Sequence, residues 1–449
     1  MKINLTDNNI GKFKENIFKR EDVASLFPFG NKSIAQLCKE NEHLLIFPYD
    51  IETSDDRIGE SSVFNIENTE DPDYVRLITN NVLGFIGIDS LKIKIKSRFD
   101  EGRDDYLLHY MLQKILSFNL FELKHNNAEE SIFDFIMFMF PYLLKSALKQ
   151  GLYREYQKQE CNDANMKGTI NINKCIRQNL PFNGRISYTV RNYSCDNSIT
   201  QLIRHTIEFM RSKKYGQSVL NIDNETKENV QSIIEHTPTY NKQERNSIIQ
   251  KNLRPKVHPY YTAYKPLQNL CIQILRMEEI KYGEKENEIN GILFDGAWLW
   301  EEYINTLLKP YGFKHPENKS GKGGFHLFES IDASGKIHQS GRRYPDFYKE
   351  NFVLDAKYKR YGNYTKVSQV NRDDIHQLIT YIARLKADKG AFVVPLQNKQ
   401  ETIPSAHLKN STASLFIYGI QIDKVATSYE DFRKNMEILE SEFLKSFTL

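Results

Sequence analysis

Cysteine is scarce in this chain. Cys38, Cys161, Cys175, Cys195 and Cys271 are five in 449 residues, an odd number with no CxxC pair. That excludes a disulfide framework or a thiolate zinc site as the organising principle, and it points to a reducing cytoplasm. Long apolar runs are missing too. The richest, Ile132 to Leu144 ("IFDFIMFMFPYLL"), is too short to cross a bilayer and contains Asp134 and Pro141, so it reads as a buried helix and no membrane association is expected. The opening "MKINLTDNNIGKFKEN" lacks the apolar core of a signal peptide. Charge of one sign is not in excess either. The formal net charge is +3, so nucleic-acid binding would need a local basic surface rather than bulk charge. "NKSGKGGFH", 318–326, is rich in glycine and lysine, yet Gly323 stands where a P-loop needs Ser or Thr, and no glycine lies five positions before Gly321. Nucleotide hydrolysis coupled to this protein would therefore occur on another polypeptide. Internal repeats and low-complexity tracts are also absent.

What is present suits a soluble globular protein of two or three domains. Hydrophobic residues make up 40% and charged residues 27%, and 25 Tyr with 27 Phe supply ample core. Residues 1–125 read as mixed α/β. In "NVLGFIGIDSLKIKIKSRFD", Leu91, Ile93 and Ile95 alternate with Lys92, Lys94 and Lys96, the pattern of a strand with one basic face. Those lysines suggest a solvated edge, and Gly84 and Gly87 suggest a turn between two short strands. Asp104 or Asp105 then opens a helix. Residues 126 to about 160 look helical, "MKGTININ" resumes a strand pattern, and an amphipathic helix follows with Leu202, Ile203, Ile207 and Met210 on one face. Residues 126–290 form this middle region, which ends in a candidate linker, "YGEKENEIN" (282–290). From 291 to 449 the order is a helix over "GILFDGAWLWEEYINTLLKPYGF" stopped by Gly312, a hairpin, a helix over "NRDDIHQLITYIARLKAD", strands over "KGAFVVPL" and "STASLFIYGIQI", and a last helix, an α/β domain.

The hairpin, "YPDFYKENFVLDAKYKRYG" (344–362), carries the chemistry. If Glu350-Asn351 is a two-residue turn, residues whose numbers sum to 701 oppose each other, so Asp346 faces Asp355. Opposed residues bring their Cβ atoms to about 4.5–5.5 Å. Two carboxylates that close repel unless a cation lies between them. Asp355 and Lys357 are two apart and share a face, while Ala356 points away. Two hard oxygen ligands and an ammonium suit Mg²⁺, which takes a few carboxylates plus waters and phosphate oxygens. The competing reading is a surface hairpin with incidental charges. The flanking helices favour a site. "LWEEYI" places Glu301 or Glu302 upstream, with one expected at the site and the other in solvent, because Trp298, Leu299 and Tyr303 with Glu302 or Ile304 cannot all face inward. "DIHQLITY" sets Gln377 and Tyr381 at i, i+4 on one face.

The residues Pro345-Asp346, Asp355-Ala356-Lys357 and Gln377-x-x-x-Tyr381 resemble the PD-(D/E)xK nuclease superfamily. More narrowly, "LGFIGIDSLKIKIKSRF", "MKGTINI", "IRQNLPFNGRISYTVRNYSCDNSITQLIRHTIEF", "LFDGAWLWEEYI", "LDAKYKRY" and "DDIHQLITYI" make the chain similar to McrC, the nuclease subunit of McrBC-type restriction systems. The resemblance implies a C-terminal restriction-endonuclease-like domain, a central mixed sheet flanked by helices, that cuts double-stranded DNA with Mg²⁺. It implies Asp346, Asp355, Lys357, Glu301 and Gln377 as catalytic residues and Asp346, Asp355 and Ala356 as the metal site. Tyr381 and Lys359 would support them or contact DNA. It further implies that the N-terminal part docks on a McrB-like AAA+ hexamer, which binds GTP or ATP, and enters its central pore, with Lys92 to Lys96 one candidate for the inserted tip. Cutting both strands would require two complexes to come together. The alternatives are a non-catalytic activator of such a motor, or a stand-alone repair nuclease.

Overall fold

The computed structural model describes residues 1–10, 16–41, 44–48, 58–88, 91–100, 105–116, 128–213, 216–253, 258–281, 289–316, 324–332, 335–359 and 366–447. The fold is mixed α/β. Residues 1–124 and 285–449 form one compact unit and residues 125–284 a second, so the first and third of the three segments expected above fall in the same unit.

Two five-stranded sheets build the first unit. One has the order Lys2–Thr6, Leu91–Lys96, Val82–Ile88, Ile289–Asp295, Leu44–Phe47. Its apolar face gathers Ile3, Leu5, Ile86, Ile93, Ile95 and Leu293 into a core with Val75 and Leu77 of a small neighbouring sheet. The other has the order Phe347–Lys349, Phe352–Ala356, Lys389–Leu396, Ser414–Gln421, Ser405–His407. Its three middle strands are parallel and its outer two antiparallel. Parallel strands covered on both faces read as continuous apolar runs, and "KGAFVVPL" is buried at every position after Lys389. The helix Arg372–Leu385 packs on this sheet through Leu378, Tyr381 and Ile382. It begins where the Asn371 side chain accepts from the Asp373 amide, with Asp373 and Asp374 in the first turn, where carboxylates suit the exposed amides.

The second unit packs helices Ala128–Leu148, Ser198–Arg211, Asn224–Glu235, Arg245–Asn252 and Tyr264–Lys281 beside a three-stranded antiparallel sheet, Glu155–Asp163, Ile186–Ser194, Thr169–Ile170. Leu202, Ile203, Ile207 and Met210 are all buried, as their spacing predicts. Pro141 sits inside its helix. Among the described residues no helix is long and apolar enough to cross a membrane.

Several expectations are corrected. "GILFD" is not helical. Ile289–Asp295 is a strand, and the helix starts at Gly296, where the Asp295 side chain accepts from the Ala297 amide. A short apolar run is compatible with either state, and pairing on both sides decided it. Gly84 and Gly87 do not mark a turn; both lie inside Val82–Ile88. Gly84 has φ +134°, and a Cβ there would fall 2.2 Å from the Ile292 carbonyl oxygen, so the glycine permits close strand approach. Lys92, Lys94 and Lys96 are not on an edge, because Leu91–Lys96 is paired on both sides, and Lys94 meets buried Asp105 at 2.7 Å. The helix after residue 126 ends at Leu148, with a strand from Glu155. "MKGTININ" is a strand only at Thr169–Ile170 before a helix begins at Ile172. The linker candidate lies outside the described residues over 282–288, and its last two residues open the strand Ile289–Asp295.

Candidate active site

The hairpin pairs Phe347 with Leu354, Tyr348 with Val353 and Lys349 with Phe352, each summing to 701. The register is the expected one. Glu350, in the turn, takes φ 37°, the left-handed value that tight hairpin turns demand. Asp346 lies one step past the ladder, and its Oδ2 accepts the Ala356 amide at 2.6 Å. That bond fixes its carboxylate over the end of the Asp355 strand.

Asp355 is fully buried. Among the described residues its Oδ1 has no hydrogen-bond partner, and its Oδ2 meets Lys357 Nζ at 2.8 Å. Lys357 Nζ also donates to Gln377 Oε1 at 3.1 Å and stands 3.7 Å from Asp374 Oδ1. Gln377 Nε2 donates to the Tyr381 hydroxyl at 2.8 Å, and that hydroxyl donates to the Tyr344 carbonyl at 2.9 Å. A relay thus runs from the ammonium to the main chain just before Pro345-Asp346. Lys359, half exposed, holds both oxygens of Asp374, at 2.9 and 2.6 Å.

The electrostatics follow from this crowding. Burial, then the charges of Glu301 and Asp355, push the Asp346 carboxyl well above its ordinary range. Burial also raises Asp355, against the pull of Lys357. For Lys357 burial acts to lower the pKa, but the Asp355 and Asp346 charges overcome it and hold the ammonium more firmly than usual.

The helix Gly296–Leu308 supplies the glutamates. Trp298, Leu299, Trp300, Tyr303 and Ile304 are all buried, so the expectation that they could not all face inward fails. The helix is enclosed on nearly every side, and Trp300 Nε1 donates to the Val393 carbonyl at 3.2 Å. Nor does one glutamate leave for solvent. Both flank His315, Glu301 Oε1 at 3.8 Å from Nδ1 and Glu302 Oε1 at 3.6 Å from Nε2. His315 Nδ1 donates to the Asp346 carbonyl at 2.7 Å and its ring stacks on Phe347. Burial would lower the imidazole pKa, but Glu302, Glu301 and the Asp346 carbonyl raise it to about 9. Tyr358, next after Lys357, is buried with its hydroxyl 2.6 Å from Ser97 Oγ and the Arg98 guanidinium 4.8 Å above its ring.

The hairpin and two helices therefore bring together Asp346, Asp355, Lys357, Gln377 and Tyr381, with Glu301 beside Asp346 and Lys359 one residue pair further out. His315 and Asp374 are additions. Asp374 was within reach of sequence reasoning, since it precedes Gln377 by one helical turn and so shares its face. His315 was not, because only the pairing of Lys314 with Tyr348 carries it to Asp346.

Among the described residues, no group of three or more His, Cys, Asp or Glu side chains is arranged to hold a metal. The set here is smaller: two convergent carboxylates, one with an orphaned buried oxygen, and the main-chain oxygen that Ala356 could add. Mg²⁺ commonly binds through one or two carboxylates with waters and phosphate, so the donors fit that ion.

The mixed α/β unit thus carries a buried Asp, Asp, Lys set at the mouth of a hairpin. The sequence matches the family described as McrBC 5-methylcytosine restriction system component over residues 77–395, and the chain belongs to that family. Among solved structures it is similar to a half-complex from a tetradecameric assembly of Thermococcus gammatolerans McrB AAA+ hexamers with bound McrC, at 14% identity and TM-score 0.44, covering 98% of this chain and 100% of that one. A second McrBC complex from the same organism is similar over 71% of this chain and 90% of that one, at 14% identity and TM-score 0.32. No curated protein matches the chain.

Proposed function

We propose that this chain is the DNA-cutting subunit of a McrBC-type restriction system, a Mg²⁺-dependent endonuclease recruited by an AAA+ partner. The observation that carries the reading is the fully buried Asp355 carboxylate with an unpartnered oxygen, set beside Asp346 and Lys357. A buried carboxylate oxygen left without a hydrogen bond costs about 1–3 kcal/mol, and such a cost can persist where function needs the group. Asp346, Asp355 and the Ala356 carbonyl would hold the ion, which would polarise a phosphodiester and acidify a bound water. Lys357 offsets charge gathering on the phosphoryl oxygens. Gln377 keeps the Lys357 ammonium in place, and Tyr381 ties that pair to the backbone before Asp346. His315 holds the Asp346 peptide from the other side, and its cation screens Glu301 and Glu302.

Docking on a McrB-like hexamer is supported by the second unit. Tyr156 and Tyr193 meet at a tilt, ring centroids 4.9 Å apart, while 74% and 52% exposed, and Phe182 (72%) and Ile172 (67%) are also open to solvent. Exposed apolar clusters mark interaction surfaces. The nucleotide, GTP or ATP, belongs to the partner, and cleavage of both strands would require two such complexes to meet on DNA.

The test uses the full chain with its motor partner, nucleotide, Mg²⁺ and duplex DNA. Asp355→Ala and Lys357→Ala should abolish cutting and keep the stimulation of the partner's hydrolysis. Unchanged restriction by these variants would make the chain an activator rather than a nuclease, and cutting without any partner would make it a stand-alone nuclease.

A further inference from the structure

Immediately before Tyr344 the chain forms an arm, strands Phe325–Ile331 and Ile337–Arg343, which among the described residues pair only with each other. An isolated two-stranded ribbon is marginal in water, so its root matters. Phe325 meets the Tyr381 ring edge-on at 6.0 Å, Arg384 lies 5.5 Å over Phe325, and Arg384 Nε donates to the His326 carbonyl at 2.9 Å. Gln377, Tyr381 and Arg384 are at i, i+4, i+7 and share one face of the helix Arg372–Leu385. That face begins at the Lys357 ammonium and ends at the root of the arm.

The arm's two faces differ. His326 opposes Arg342, Phe328 opposes Ser340, and Ser330 opposes His338. Opposed residues project to the same side, so these six form one face, and none is an acid. Phe328 is 64% exposed on it, and Ser340, His338 and Arg342 are exposed. Asp332, in the turn, does meet His338 Nε2 at 2.8 Å, and Arg342, 5.2 Å over the Tyr344 ring, is that face's permanent charge. The other face holds Phe325 opposite Arg343 at the root, where Arg384 packs, then Glu329 opposite Gln339 and the apolar tip pair Ile331 and Ile337. Arg343 and Asp346 are three residues apart, at most about 11 Å along an extended chain.

Resting on the nuclease reading, we infer that the acid-free face of the arm carries the sugar-phosphate backbone of duplex DNA leading to the Asp346–Asp355 hairpin. Arginine and hydroxyl groups are the side chains that phosphates recruit. Charge complementarity and continuity with the Lys357–Gln377–Tyr381 relay favour nucleic acid over a second copy of this chain.

The register gives a sharp test. Binding of the full-length chain to a labelled duplex would be measured without divalent ions, over a range of salt. Arg342→Gln should weaken binding about five- to tenfold, equally for unrelated sequences, and should flatten the slope of log affinity against log salt by about 1. Ser340→Glu, on the acid-free face, should weaken binding similarly, whereas Gln339→Glu, its neighbour on the other face, should not. Unchanged duplex affinity in Arg342→Gln overturns the proposal. So does equal weakening by both glutamate variants, which would show only general repulsion. A loss of self-association in sedimentation, with duplex affinity intact, would reassign the face to contact between copies. Failure of the nuclease reading looks different: Lys357→Ala would go on cutting, whatever the arm variants do.

Discussion

Two buried carboxylates in the same unit are treated in opposite ways. Glu440, on the helix Tyr429–Phe447, accepts from the Tyr110 hydroxyl at 2.8 Å, the Tyr303 hydroxyl at 2.7 Å and Lys114 Nζ at 2.8 Å. It binds three helices together and its oxygens are satisfied. Asp355 is buried more deeply, yet one oxygen has no partner, and its neighbour Asp346 is pressed by Glu301 as well as by Asp355. Burial of charge alone does not mark a functional site. The mark is that burden joined to a second acid: Asp105, ion-paired to Lys94, also keeps unbonded oxygens, whereas Asp355 keeps them beside Asp346, whose pKa its charge helps to raise.

The largest expected effect separates the two. Asp355→Ala and Lys357→Ala should lower DNA cutting at least about a hundredfold in the complete system, while Glu440→Gln should lower it only as far as the fold is weakened. The next is in stability. Glu440→Ala leaves two hydroxyls and an ammonium without their acceptor and should cost about 3 kcal/mol in denaturant unfolding; a cost near zero would erase the contrast. Gln377→Leu removes one acceptor from Lys357 and should slow cleavage about tenfold with little change in stability, roughly the worth of one hydrogen bond to a charged group. The smallest effect concerns pH. The His315 pKa is raised on folding, to about 9, so the stability it contributes is fully present below its ordinary value near 6.5 and is lost as pH rises through 9. His315→Gln should flatten unfolding free energy across that window, and an unaltered slope would remove His315 from the charge cluster.

Much of this was legible in the sequence because the site sits on local geometry. A two-residue turn and a period of two suffice to oppose Asp346 and Asp355 and to align Asp355 with Lys357. A period of 3.6 suffices to align Gln377 with Tyr381. The failures needed tertiary information. "GILFD" becomes a strand because Val82–Ile88 and Leu44–Phe47 flank it. The Lys92 to Lys96 strand is interior because the first residues of the chain pair with it. The helix bearing Glu301 and Glu302 buries several faces because sheets and helices surround it, which no amphipathic pattern announces. His315 becomes part of the site only through its segment's pairing with Tyr348.

The central claim is that Asp346 and Asp355 are held together against their mutual repulsion for a divalent ion. A carboxyl whose pKa is raised on folding weakens the fold as pH rises from its ordinary value near 3.8 through the raised one. Asp346→Asn keeps the acceptor for the Ala356 amide and removes the charge. The decisive measurement is thermal unfolding of the wild-type chain and Asp346→Asn at neutral pH, with and without Mg²⁺. The account predicts that Mg²⁺ stabilises the wild type, and that the variant is the more stable of the two without Mg²⁺, by on the order of 1 kcal/mol, and indifferent to the ion. A variant less stable than the wild type without metal, or one that still gains stability from Mg²⁺ as the wild type does, would contradict it.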